Sequence, residues 1–167
     1  RRAKGNDSVT LQIQENKFKI TFKSNSTRTF SLPIIDIEEK QQKIPELSFN
    51  ATITSKASVI NEAIEDVDII GESVNFAVEK DKMIVTSTGD LSNANIEIPS
   101  DNDTKIICEE SAKSKFSIEY LKKMIQGSKL SDQVVMQLGN EYPMKLEYKV
   151  LDKVMLSFIL APRVDNE

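Results

Sequence analysis

An α+β fold, built from antiparallel strands with two short helices set among them, is the architecture this 167-residue chain predicts. Two observations carry the expectation. Over most of its length apolar residues alternate with polar ones, the period-2 signature of strands with one face on a core. Two short stretches repeat instead at i, i+3, i+4, the period of a helix with one apolar stripe. Strands that outnumber segregated helices belong to the α+β class.

The elements follow in order. Val9, Leu11 and Ile13 alternate with polar residues, Glu15-Asn16 turns the chain, and Phe18, Ile20 and Phe22 alternate on the way back: a hairpin. A third strand, Thr27 to Leu32, ends at Pro33. Residues 34–48 fit neither period, carry charge and contain Pro45, and so read as an extended linker. In "SKASVINEAIEDVD", Ala57, Val59, Ile60, Ala63, Ile64 and Val67 share one helical face, with Thr54 or Ser55 as the expected N-cap. Strands are expected near 72–79, 82–88, 91–98 and 104–110. The second helix, "SIEYLKKMIQG", is expected to start at Ser117 and to end on Gly127 as its C-cap. Three last strands are expected at 133–138, 143–150 and 153–160. In the middle one Met144, Leu146, Tyr148 and Val150 alternate with Lys145, Glu147 and Lys149, a strand with one wet face.

Composition narrows the function. Apolar residues at 39% and charged residues at 29% suit a globular chain with a real core. No apolar run approaches the roughly 20 residues of a membrane span, and no membrane partner is expected. With no histidine, a Ser-His-Asp triad, a Cys-His pair and a His-based zinc site are excluded. The single Cys108 excludes cysteine-cluster metal sites and reads as a buried thiol. Five glycines form no phosphate-binding loop. Asp101-Asn102-Asp103 starts like a calcium loop but lacks its Gly and closing Glu, and reads as a polar turn. Neither a cofactor nor a metal is expected, and the chain is not expected to be an enzyme.

The closing stretch "VMLSFILAPRVDNE" is apolar on both faces of a strand and then runs into Ala161-Pro162 and an acidic tail. Such an ending suits one half of a binding pocket. Together, "GDLSNANIEIP", "FSIEYLKKMI", "YPMKLEYKV" and "FILAPRVDNE" resemble the C-terminal domain of DNA sliding clamps of the proliferating cell nuclear antigen family, archaeal type. The linker ending in "KIPEL" is similar to that family's interdomain connecting loop, and "RAKGNDSVTLQI" to the end of its N-terminal domain.

The resemblance implies a sliding-clamp fold, antiparallel sheets with two short helices on one face. It divides the chain into a remnant of an N-terminal clamp domain (1–32), the connecting loop (33–48) and a C-terminal clamp domain (49–167). It also implies a fragment, lacking most of the first domain. The function implied is that of a sliding-clamp subunit, a processivity factor that encircles duplex DNA as a trimeric ring of like or unlike chains. Its expected location is cytoplasmic, on chromosomal DNA. Partner peptides of DNA polymerase, flap endonuclease, DNA ligase and clamp loader would dock beneath the connecting loop. The pocket positions carried over are Gln42, Ile44, Pro45, Leu47, Tyr142, Pro143, Ile159, Ala161 and Pro162. Arg1, Arg2, Lys4, Lys122 and Lys123 would face DNA phosphates, whereas Glu62 and Glu65 depart from a basic lining. Subunits would join by pairing one edge strand, Leu91, Ser92, Ala94, Ile96 and Ile98, with another carrying Thr27, Arg28, Phe30 and Leu32.

Two readings from other classes compete. A carboxylate-based hydrolase would use a pair among the 26 acidic residues. A secreted or surface β-rich interaction module would use the Asn-x-Ser/Thr triplets at Asn6, Asn25, Asn50 and Asn102. Neither accounts for the Ala-Pro ending together with the Ile-Pro linker.

Overall fold

The structure, a computed structural model, describes residues 3–35 and 46–164. The chain divides into two compact units, residues 1–45 and 46–167.

The first unit is a meander of β1 (Ser8–Gln14), β2 (Lys17–Lys23) and β3 (Thr27–Pro33), antiparallel and in that order. Glu15 and Asn16 both adopt positive φ, 49° and 62°, the two left-handed residues of a hairpin turn whose twist matches its strands. The register sets Val9, Leu11 and Ile13 opposite Phe22, Ile20 and Phe18, which face Arg28, Phe30 and Leu32 in turn. One face is therefore apolar, and Leu11 and Ile13 on it stay well exposed. Asp7 anchors the sheet's corner. Its carboxylate pairs with Arg28, whose guanidinium lies 5.4 Å from the centre of the Phe22 ring.

The second unit runs β4 (Ala51–Lys56), α1 (Ala57–Asp68), β5 (Ser73–Val78), β6 (Lys82–Thr88), β7 (Asn93–Pro99) and β8 (Thr104–Cys108). Then come β9 (Ala112–Ser117), α2 (Ile118–Met124), a 3₁₀ turn at Ile125–Lys129, β10 (Gln133–Leu138), β11 (Met144–Val150) and β12 (Val154–Leu160). It is an α+β unit of antiparallel sheets with two short helices. A strand, a helix and a three-strand meander occur twice in succession, and the leading strands are exchanged. β4 joins the second meander in the sheet β12-β11-β10-β4-β8, and β9 joins the first in the sheet β7-β6-β5-β9. Neither half can close its sheet without the other.

The core lies between the two sheets and the helices. α1 contributes Ala57, Ile60, Ala63, Ile64 and Val67, and α2 contributes Ile118, Leu121 and Met124. Phe76 and Phe116, 6.2 Å apart, fill the four-stranded sheet, while Met136, Leu146 and Tyr148 fill the five-stranded one. Where β4 meets β8 at the inner surface, Ser55 and Thr104 satisfy each other through a buried hydroxyl pair at 2.7 Å.

Several expectations need correction. β4 and β9 were not anticipated. Their short patterns abut the helices, so Thr54 and Ser55 belong to β4 and not to a helix cap. The N-cap position of α1 is Lys56, whose side chain makes no capping hydrogen bond. Ser117 does stand at the N-cap of α2, also without a side-chain bond. Both helices start the same way instead: Ala57 N–H donates to the Asp132 carbonyl and Ile118 N–H to that of Glu72. Each orphan donor is thus met by the loop entering the neighbouring meander. Gly127 is not a left-handed C-cap, for no glycine among the described residues has positive φ. It is buried in the 3₁₀ turn, where a Cβ would stand 2.3 Å from the Tyr148 ring. The reason for glycine there is packing, not conformation. Cys108 is half-buried, on the edge strand β8, and its thiol donates to the Glu110 carbonyl at 3.1 Å.

Candidate functional site

Three surfaces were expected from the sequence, and each has a distinct geometry. The first is the outward face of the five-stranded sheet near the end of β12. Strand register places Ile159 opposite Lys145, Lys145 opposite Gln137, Gln137 opposite Thr52 and Thr52 opposite Ile107. These five form one transverse row, directed away from the inward row of buried Met144, Leu138 and Ala51 and half-buried Leu160. One step beyond the pairing of Met144 with Leu160, Pro143 comes opposite Ala161. The register therefore gathers Pro143, Ile159, Ala161 and Pro162 at one corner.

Tyr142 is brought there by the turn between β10 and β11. Ser114, buried in β9, holds that turn. Its hydroxyl donates to the Gly139 carbonyl at 2.9 Å and accepts from Tyr142 N–H at 3.0 Å. Glu141, at φ 49°, donates its N–H to the Lys113 carbonyl. The Tyr142 ring meets Phe49 edge-on at 6.1 Å; Leu47, two residues before Phe49 in the chain, is half-buried. The segment entering β4 is fixed in turn by Asn50, whose N–H donates to the Leu138 carbonyl and whose own carbonyl accepts from Glu109 N–H. Gln42, Ile44 and Pro45 lie outside the described residues. Pro162 also borders a cleft of about 440 Å³ shared with Asn75, Lys113 and Glu141. Sequence reasoning missed Phe49, Thr52, Ser114, Gln137 and Lys145. The alternation of β11 had placed Lys145 on the wet face, but only the register reveals that it neighbours Ile159.

The second surface is the exposed side of the helices. Lys122 and Lys123 are both exposed and both engaged. Lys122 crosses to Asp68 of α1 at 2.5 Å, and Lys123 pairs with Glu119 at 2.8 Å. The Lys123 ammonium lies 5.2 Å from the Tyr120 ring centre. Its hydrogen bond to Glu119 raises the pKa of Lys123 and lowers that of the carboxylate. Lys129 joins this side from the 3₁₀ turn and was not anticipated. Glu62, Glu65 and Asp66 are exposed on α1. Lys4, in the other unit, is exposed and donates its backbone N–H to Asp7, the largest contribution lowering that carboxylate's pKa. Arg1 and Arg2 lie outside the described residues.

The third surface is a pair of sheet edges. β7 ends the four-stranded sheet and β3 ends the three-stranded one. β7 runs from Asn93 to Pro99, so Leu91 and Ser92 belong to the preceding turn, closed by Gly89 N–H on the Ser92 carbonyl at 2.8 Å. Ala94, Ile96 and Ile98 face inward, leaving the backbone with Asn93, Asn95 and Glu97 outward. On β3, Thr27, Phe30 and Leu32 are exposed and Arg28 is half-buried.

Comparison with known proteins identifies the family and the fold. Residues 43–163 match the family model for the proliferating cell nuclear antigen C-terminal domain. The DNA polymerase sliding clamp of Pyrococcus furiosus is 33% identical over 169 residues, covering 99% of this chain and 68% of that protein. That of Methanococcus vannielii is 31% identical over 172 residues, covering 99% and 69%. The fold is shared with the crystal structure of PCNA from Thermococcus kodakaraensis, at a TM-score of 0.84 and 24% identity, over 96% of this chain and 67% of that one. With a family model over most of its length and relatives matched along nearly all of it, the chain belongs to the proliferating cell nuclear antigen family of DNA polymerase sliding clamps.

Proposed function

We propose that this chain acts as a non-catalytic subunit of a sliding clamp, holding replication and repair enzymes on duplex DNA. Residues 1–32 would belong to one clamp domain, 33–48 to the connecting loop and 49–167 to a second domain. The observation that carries the reading is the corner where Pro143, Ile159, Ala161 and Pro162 converge next to the turn that carries Tyr142; Leu47 would join them from the segment entering β4. Small and rigid residues there leave a receptive apolar surface with little side-chain entropy to lose on binding.

The occupant is a peptide with a glutamine followed by aliphatic and aromatic anchors, from a DNA polymerase, flap endonuclease, DNA ligase or clamp loader. Gln42, Ile44 and Pro45 would be the connecting loop's contribution to peptide binding. The exposed helical side would face the phosphates of duplex DNA through Lys122 and Lys123, with Arg1, Arg2 and Lys4 adding charge. The β7 and β3 edges would join neighbouring subunits into a homo- or heterotrimeric ring.

Titration calorimetry tests the pocket. Burial of the anchors at about 25 cal/mol per Å², offset by binding entropy, gives an expected Kd in the micromolar range. Ala161→Phe fills the corner and abolishes binding while the fold persists. Lys122→Ala leaves binding unchanged, because the core separates the helices from the outward face of the sheet. Equal binding by wild type and Ala161→Phe overturns the assignment.

A further inference from the structure

The exposed side of the helices is poorly suited to a polyanion. Glu62, Glu65, Asp66 and Asp68 from α1 and Glu119 from α2 outnumber Lys56, Lys122, Lys123 and Lys129. Two of those lysines are further committed, Lys56 to Asp103 and Lys123 to Glu119. Lys122 differs in bridging the two helices. Its ammonium leaves its own helix and meets the Asp68 carboxylate at the C-terminal end of α1, 54 residues away in sequence. Asp68 thereby takes one of the three N–H donors that Lys122 could offer a phosphodiester oxygen, and offsets its charge.

We propose that Asp68 competes with the DNA backbone for Lys122 and so sets how firmly this helical face grips the duplex. The inference rests on the DNA reading given above. Both partners are substantially exposed, with side-chain exposures of 48% and 36%, so the bond is weak enough for a phosphate to displace. The face then holds DNA loosely while it stays against the duplex, which suits a protein that must slide.

Fluorescence anisotropy with a short labelled duplex, across a salt series, tests the competition in the full chain. Asp68→Asn is expected to tighten binding about two- to fivefold at low salt and to steepen the slope of log K against log salt by about 0.9, the change for one more neutralised phosphate. Glu65→Gln removes a charge from the same helix without releasing a lysine, and should give a smaller gain with no change of slope. In a Lys122→Ala background, Asp68→Asn should give no more than Glu65→Gln. Equal gains from Asp68→Asn and Glu65→Gln in the wild-type background, or a gain from Asp68→Asn that survives loss of Lys122, overturn the competition. DNA binding that is weakened by Lys122→Ala but indifferent to Asp68→Asn overturns it too, while leaving the DNA reading intact. Absence of any salt-dependent DNA binding in wild type and all variants overturns both.

Discussion

Tyr148 is 1% exposed, and its hydroxyl finds no hydrogen-bond partner among the described residues. The ring is indispensable, since it packs over Gly127 and meets Phe158 edge-on at 6.4 Å. The hydroxyl is not. Burial pushes the phenol pKa up to about 12, from an ordinary value near 10. Below pH 10 the tyrosine is neutral in both folded and unfolded chains and contributes no slope. Between pH 10 and 12 the unfolded chain releases the proton and the folded chain keeps it, so stability falls as pH rises, by about 1.4 kcal/mol per unit. Tyr148→Phe is therefore expected to match wild type at pH 8, or exceed it by up to about 1 kcal/mol. By pH 11.5 its advantage should have grown by about 2 kcal/mol. Urea midpoints at the two values check it, the lysine titrations cancelling in the comparison. A constant difference between the two proteins would show that the phenol titrates normally.

At the scale of elements, β9 links the fold to the pocket. Its buried Ser114 hydroxyl fixes both ends of the 139–142 turn. Ser114→Ala strands the Tyr142 N–H and the Gly139 carbonyl, at a cost of about 1–3 kcal/mol. Because Tyr142 and Pro143 ride on that turn, partner-peptide affinity should fall several-fold with it. Calorimetry together with thermal unfolding tests this; lost stability with unaltered peptide affinity would separate Ser114 from the pocket. This strand also shows where sequence reading stops. β11 was legible because Met144, Leu146, Tyr148 and Val150 alternate cleanly with Lys145, Glu147 and Lys149, and β10 and β12 because turn residues bound their apolar runs. β9 was not: in "AKSKFS" the inward positions are Ala112, Ser114 and Phe116, and a small residue and a hydroxyl on the core side erase the hydrophobic signal. β4 was hidden differently, since Thr54 and Ser55 look like helix caps until register shows Ser55 paired with Thr104. The pocket corner was legible only through family resemblance, because its neighbours Lys145, Gln137 and Thr52 join Ile159 through strand pairing alone.

At the scale of the whole molecule, the question is which surfaces are spoken for by other chains. Leu91 sits fully in solvent, at 101% exposure, on the turn that leads into the β7 edge. The turn itself is tightly built, with Gly89 placed where a Cβ would come within 2.2 Å of the Ile70 carbonyl oxygen. A leucine held in water on so fixed a turn adds nothing to the stability of its own unit. Its burial would gain free energy only against a neighbour, and an adjoining subunit that extended the sheet at β7 would be placed to cover it. Full burial of a leucine contributes about 1.5–3 kcal/mol, or roughly ten- to a hundredfold in affinity. Leu91→Asp should thus leave the unfolding midpoint unchanged and weaken self-association at least tenfold. Ile69→Asp, also well exposed but at the end of α1 on the helical side, should leave association unchanged. Sedimentation equilibrium over a concentration series distinguishes the three proteins. Were all three to associate equally, the β7 edge would not be the place where subunits meet, and assembly would have to be sought on another edge, such as β12, where Val154 and Met155 are exposed.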